Sequence, residues 1–229
     1  MSLDSDASPL QKLTTSADKP IKPGNDKRYR AVLLMGAPGT GKGTQGQILK
    51  SIPGFYHFAI GDAFRRIDTE SELGKVFYGY SSRGELVPDE VTIKLWAENL
   101  NAHAILNDYK PYRELLILDG IPRTQKQARM LEEYVNVMLV IHLTCTDQSA
   151  MFERLRKRAI KENRIDDANE QTIRRRMEVY ENETKAVLKC YPQDRITEVR
   201  SEGSPARVLY DILAVLAPLQ DKIYAGSLP

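Results

Sequence analysis

From Arg30 onward, short continuous apolar runs alternate with longer stretches of helical period. The runs are RAVLLM (30–35), FYHFA (55–59), ELLILD (114–119), VNVMLVIHL (135–143) and DRITEV (194–199). They are rich in Val, Ile and Leu and do not alternate with polar residues, the pattern of strands buried on both faces of a parallel sheet. Apolar positions spaced for helices fill 89–107, 124–133, 147–158, 169–189 and 204–217. Strands separated by helices predict a three-layer α/β fold.

Two places break this rhythm. Roughly fifty-five residues separate the second and third runs, more than one crossover helix requires. Between the fourth and fifth lies a basic segment, ERLRKRAIKENRIDD (153–167). Insertions at the carboxyl ends of parallel strands face the ligand crevice, so both are expected to handle substrate. Residues 1–29 are polar, hold three prolines and carry no period; they are expected to be a disordered or loosely docked tail. A domain over 30–218 and a C-terminal tail over 219–229 complete the expected organisation.

Composition narrows the function classes. A hydrophobic fraction of 41 % and a charged fraction of 28 % are those of an ordinary globular protein. No apolar run approaches the ~20 residues of a bilayer span, and the first thirty residues lack the apolar core of a secretory leader. A formal charge of +2 is too small to argue for nucleic acid. Cys145 and Cys190 stand far apart and fit a reducing compartment. The expectation is a cytoplasmic protein with neither membrane nor nucleic-acid partner.

The chemistry begins at GAPGTGKGTQ (36–45), which follows the first strand and opens a helix. Gly36-x4-Gly41-Lys42 has the spacing of a phosphate-binding loop. Its glycines let successive N–H groups turn inward toward an anion, and the helix N-terminus adds its dipole. Lys42 brings a mobile point charge. The generic motif has Ser or Thr directly after the lysine; here Gly43 intervenes before Thr44. The loop alone leaves open whether phosphate passes to water, to another molecule or nowhere. Asp119 ends the third strand, where it can hold magnesium-bound waters. It is followed by Gly120, not by a glutamate that activates water, and no Asn-Lys-x-Asp guanine reader is present. Arginines are abundant at the same end: Arg65, Arg123, Arg158, Arg164 and Arg176. Guanidinium groups hold phosphate oxygens in a fixed fork and stabilise a phosphoryl group in transfer. Several of them with one lysine point to two phosphorylated ligands. Asp166 and Asp167 interrupt the basic run and no aromatics interleave, which argues against a nucleic-acid face.

Four segments in order, GAPGTGKGTQ, GELVPDE, DGIPRTQKQA and RIDDANEQTIRRRMEVY, resemble the nucleoside monophosphate kinases, the adenylate kinases in particular. The resemblance covers about 31–217 and accounts for Gly43, because that family has Lys-Gly-Thr. It implies a five-stranded parallel P-loop fold, a helical acceptor-binding insert near 60–89 and a short lid near 159–166. It implies that Gly39, Gly41, Lys42, Gly43 and Thr44 cradle ATP phosphates and that Arg154 lies on the ATP adenine. Arg65 and Arg123 would grip the AMP phosphate beside Gly120, while Val87 backbone and Gln127 would meet the AMP base. Arg158, Arg164 and Arg176, with Lys42 and Arg123, would surround the moving phosphoryl group, with Asp166 and Asp167 orienting them. Mg²⁺ would be held through waters on Asp119, Asp62 and Thr44. Only five residues separate Arg158 from Arg164, so the lid is of the short type, without structural zinc. A monomer using ATP, AMP and ADP is implied.

The chain departs from the pattern at Ile60, where adenylate kinases carry a threonine that contacts the AMP base. Pyrimidine kinases of the family have alanine there, and they differ at Gln127. AMP is therefore the expected acceptor, with UMP or CMP the alternative; from another class, a non-catalytic nucleotide-binding regulator or a P-loop ATPase remains. Ile121 replaces an aromatic, and Ala168 reads as one inserted residue. His57, His103 and His142 are expected to be structural.

Overall fold

A computed structural model describes residues 28–162, 164, 167 and 169–225. Five strands, β1 (Tyr29–Gly36), β2 (Phe55–Ala59), β3 (Leu115–Asp119), β4 (Val135–Thr144) and β5 (Ile196–Arg200), form one sheet in the order β2-β3-β1-β4-β5. Every neighbouring pair is parallel. Five-stranded, parallel and flanked by helices, this is the α/β architecture expected. The burial pattern shows why the runs do not alternate. Ala31, Leu33 and Met35 of β1 pack into one core, while Val32 and Leu34 pack into the other. Leu116 and Leu118 of β3 likewise face the first core, and Leu115 and Ile117 the second. Both sheet faces are covered, so successive strand positions are apolar.

Helix α1 (Lys42–Lys50) follows the loop after β1. The long connection to β3 holds α2 (Ile60–Arg65), α3 (Glu72–Ser81) and α4 (Asp89–Ile105). Ser71 caps α3 by accepting the N–H of Gly74 at 3.0 Å, and Phe64 stacks on Phe77 at 4.9 Å, tying α2 to α3. Next come α5 (Gln125–Leu131), α6 (Gln148–Glu162), α7 (Glu170–Val179) and α8 (Pro205–Tyr224).

Several boundaries move. Tyr29, assigned above to the tail, is the first residue of β1: its N–H donates to Tyr134 O at 2.8 Å, and its ring lies 5.7 Å from that of Tyr109. The rest of that tail, 1–27, lies outside the described residues. The segment expected as one helix over 169–189 is three: α7, a π turn at Tyr180–Thr184 and a 3₁₀ turn at Lys185–Cys190. The final helix passes through Pro218 and runs to Tyr224, beyond the expected boundary at 218. Leu219 and Ile223 pack on the second core, and Gln220 Nε2 donates to Pro53 O at 2.8 Å. Helix α6 continues into the region expected as lid, ending at Glu162.

The chain leaves β1 toward one edge of the sheet and returns after β3 to the other side of β1. The crevice between the carboxyl ends of β1 and β3 is therefore the switch point at which such sheets bind ligands.

Candidate active site

At that crevice β1 ends in Gly36 and β3 in Asp119–Gly120. Gly36, Gly39 and Gly41 all have positive φ, which lets the loop fold tightly before α1. At Gly39 a Cβ would sit 2.7 Å from Met151 O, so the loop also packs directly on α6. The Lys42 ammonium folds back over the loop, donating to Gly36 O at 2.6 Å and Ala37 O at 2.9 Å. Burial pulls its pKa down to about 7; Asp119 opposes that, and Arg123, Arg158 and Arg176 add to it. Lys42 and three guanidinium groups thus converge on one space, and even with Asp119 and Asp167 against them the cations are in excess, which suits anions.

Asp119 is buried. Burial alone would raise its pKa, but the adjoining His57 ring and the positive Lys42 and Arg123 outweigh it and keep the carboxyl below its ordinary range. His57 Nε2 stands 3.5 Å from Asp119 Oδ2. The space for that ring exists because residue 46 is glycine: a Cβ there would lie 2.1 Å from His57 Nε2. His57, read from the sequence as merely structural, thus lies against the acidic side chain at the loop; no periodicity in FYHFA distinguishes it.

The arginines are held in place. Asp167, whose side chain is fully buried, receives Arg158 through Nε at 2.9 Å and Nη2 at 2.7 Å. Arg164 approaches the same carboxylate at 3.5 Å, and Arg176 pairs with its other oxygen. Arg123 Nε donates to Gly120 O at 2.8 Å. Arg65 pairs with Asp62 at 2.5 Å, so the Asp62 carboxylate is engaged with an arginine.

One cleft gathers these parts, with about 1430 Å³ of empty space including its open mouth. Gly39, Gly41, Lys42, Gly43, Asp62, Asp119 and Gly120 line it. So do Arg65, Arg123, Arg158, Arg164 and Arg176, and so do Ile60, Val87 and Gln127. Ile60 and Val87 give an apolar wall with Phe64 and Phe77. Thr44 is exposed on the first turn of α1 and does not line the cleft. Arg154 also lies outside it, donating at 3.4 Å to Gly39 O and to Ser201 O. Asp166 and Ala168 fall outside the described residues. Tyr180 and Thr184, at either end of the π turn, line the cleft as well and were not singled out by sequence.

The model of the family described as adenylate kinase matches residues 34–196. The chain belongs to the adenylate kinase family. Among relatives that bear the name adenylate kinase, that of Thermobifida fusca is 38 % identical over 173 residues, 73 % of this chain and 87 % of the relative. That of Flavobacterium psychrophilum is 34 % identical over 170 residues, 72 % and 85 % of the two chains. That of Porphyromonas gingivalis is 34 % identical over 198 residues, 83 % and 95 %. Adenylate kinase membership agrees with the fold: the match begins inside β1 and takes in the loop, the insert, Asp119 and the arginine-bearing helices. Both cysteines are free, and no helix among the described residues is long and apolar enough to cross a membrane.

Proposed function

We infer that this chain catalyses reversible phosphoryl transfer from ATP to AMP, giving two ADP. One observation carries the reading: a phosphate loop and five arginines line a single cleft, more phosphate-holding groups than one nucleotide engages. A single nucleotide would leave several of these guanidinium groups unused.

An oxygen of the AMP phosphate attacks the γ-phosphorus of ATP; that bond forms as the bond to the β–γ bridging oxygen breaks, and ADP leaves carrying the electron pair. Run backwards, the same displacement joins two ADP. Little is asked of the protein beyond alignment and charge neutralisation. In this reading Gly39 to Gly43 and Lys42 hold the ATP phosphates, Arg65 and Arg123 hold the AMP phosphate, and Arg158, Arg164 and Arg176 face the phosphoryl group in transfer. Asp167 keeps the last three aimed inward. Water, the competing acceptor, is excluded as the short lid and the insert close over both ligands.

Magnesium suits this donor set. Mg²⁺ at phosphoryl-transfer sites takes one or two carboxylates, substrate phosphates and several waters. Asp119 is an ionised carboxylate beside the loop, and no group of three or more His, Cys, Asp or Glu stands together among the described residues. Asp119 would hold the ion's water shell, helped by the oxygen of Asp62 not engaged by Arg65. When bound, the ion would supply charge neutralisation on the transferring phosphates. The working form is taken as a cytoplasmic monomer.

The test is an acceptor screen by coupled assay: AMP, UMP, CMP and GMP, each with MgATP. AMP is expected to give ADP at the highest kcat/KM. ATP consumed equally fast with no acceptor, or UMP preferred to AMP, would overturn the reading.

A further inference from the structure

Both ends of the Gln127 amide are engaged by the protein. Its Oε1 accepts the N–H of Arg123 at 2.7 Å, and its Nε2 donates to Asp89 Oδ1 at 2.9 Å. Asp89 is itself held, since the same oxygen accepts the Thr124 hydroxyl at 3.0 Å. Thr124 Oγ1 in turn accepts the backbone N–H of Gln127 at 3.0 Å. The group is sealed on the protein side: Gln127 is 1 % exposed, yet it lines the cleft. We propose that Asp89 is a positioning residue that locks the Gln127 amide in one orientation and so makes the acceptor site select 6-amino purines over 6-oxo purines. The proposal rests on the AMP reading above.

An amide has two N–H donors and two acceptor lone pairs. With one of each committed, one donor and one acceptor remain for a base. Adenine offers an acceptor at N1 and a donor at N6, which complement that pair. Hypoxanthine and guanine offer a donor at N1 and an acceptor at O6, the opposite polarity. An unrestrained glutamine turns its amide by 180° and suits either. Here the turn would set Oε1 against the Asp89 carboxylate and the NH₂ group against the Arg123 N–H. Two hydrogen bonds would be lost and two like-polarity contacts made in a buried place. The Ile60 side chain, which also lines the cleft, offers the base no hydrogen bond, so side-chain discrimination falls on this amide.

The experiment measures kcat/KM for AMP and for IMP, at saturating MgATP, in the wild type, Asp89→Ala and Asp89→Asn. Wild type is expected to prefer AMP by about 100-fold or more. Asp89→Ala should lower the AMP:IMP ratio by at least about tenfold, through a raised KM for AMP and a better use of IMP, with KM for ATP unchanged. Asp89→Asn keeps an acceptor oxygen and should fall between the two. A ratio in Asp89→Ala within about twofold of wild type, or equal losses for both bases, would overturn the proposal. Should Asp89→Ala fail to fold, Asp89→Asn decides, and its AMP:IMP ratio must fall at least about threefold. A wild type that does not use AMP at all would refute the AMP reading; one that uses AMP with an unmoved ratio refutes the Asp89 lock alone.

Discussion

Asp167→Ala tests how the arginine cluster is built. The Asp167 side chain is fully buried and holds Arg158, Arg164 and Arg176, whose side chains are 28 %, 10 % and 16 % exposed. Removing one partner of a buried ion pair costs about 3–5 kcal/mol, because the remaining charge stays desolvated and unpaired. Three guanidinium groups would repel one another here, but each keeps some access to the cleft, so the lower figure of about 3 kcal/mol is the expected loss. A chain of this size loses about 2–4 °C in Tm per kcal/mol, giving a fall of about 6–12 °C by scanning calorimetry without ligand. Asp167→Asn retains an acceptor and should lose about half as much. Turnover should suffer independently of stability, since misplacing a transition-state group by about 1 Å costs on the order of 100-fold. Assayed well below its Tm, Asp167→Ala should therefore show kcat reduced by about 100-fold or more. A variant that melts within about 2 °C of wild type and turns over within about threefold of it would refute the claim that this carboxylate organises the cluster.

Further consequences concern the loop, its neighbours and the acceptor. With the Lys42 pKa at about 7 without ligand, the unfolded chain binds more protons than the folded one between that value and the ordinary lysine value, so this residue makes stability rise with pH across that window. ATP phosphates restore its charge, so ATP binding at about pH 8 should take up a proton, seen by titration calorimetry in buffers of different ionisation enthalpy. The uptake should vanish in Lys42→Met, whose turnover should also collapse; equal uptake in both proteins would contradict the assignment. Gly46→Ala puts a methyl 2.1 Å from His57 Nε2. The overpacking cost of about 1–3 kcal/mol should exceed the helix-propensity gain of up to about 1 kcal/mol, leaving a net destabilisation in urea titration. A Gly46→Ala protein as stable as wild type would show that His57 is not wedged against Asp119. Arg123→Ala should lower kcat/KM for AMP by about 1,000-fold while KM for ATP changes little, and an unchanged AMP dependence would remove Arg123 from the acceptor site.

Much of this architecture was legible in the chain because the strands of a doubly covered sheet leave few polar positions. VNVMLVIHL and ELLILD announce themselves, and GAPGTGKGTQ marks the switch point between them. What escaped depends on contacts between distant segments. Tyr29 looks like tail beside Asp26, Lys27 and Arg28, yet it is buried against Tyr109 and Tyr134. The π turn at Tyr180–Thr184 has no signature in the spacing of apolar residues. His57 sits in an ordinary strand pattern, and its meeting with Asp119 follows from strand register together with the missing side chain at Gly46. The Asp89–Gln127 pair, separated by 38 positions, becomes visible when α4 and α5 lie side by side.

Initial rates with MgATP and AMP varied together bear most directly on the central claim, that both nucleotides occupy the cleft at once and phosphate passes straight between them. Double-reciprocal plots should intersect, and ATP without AMP should yield ADP at a negligible rate. Parallel lines, or ADP formed from ATP as quickly without AMP as with it, would contradict the account.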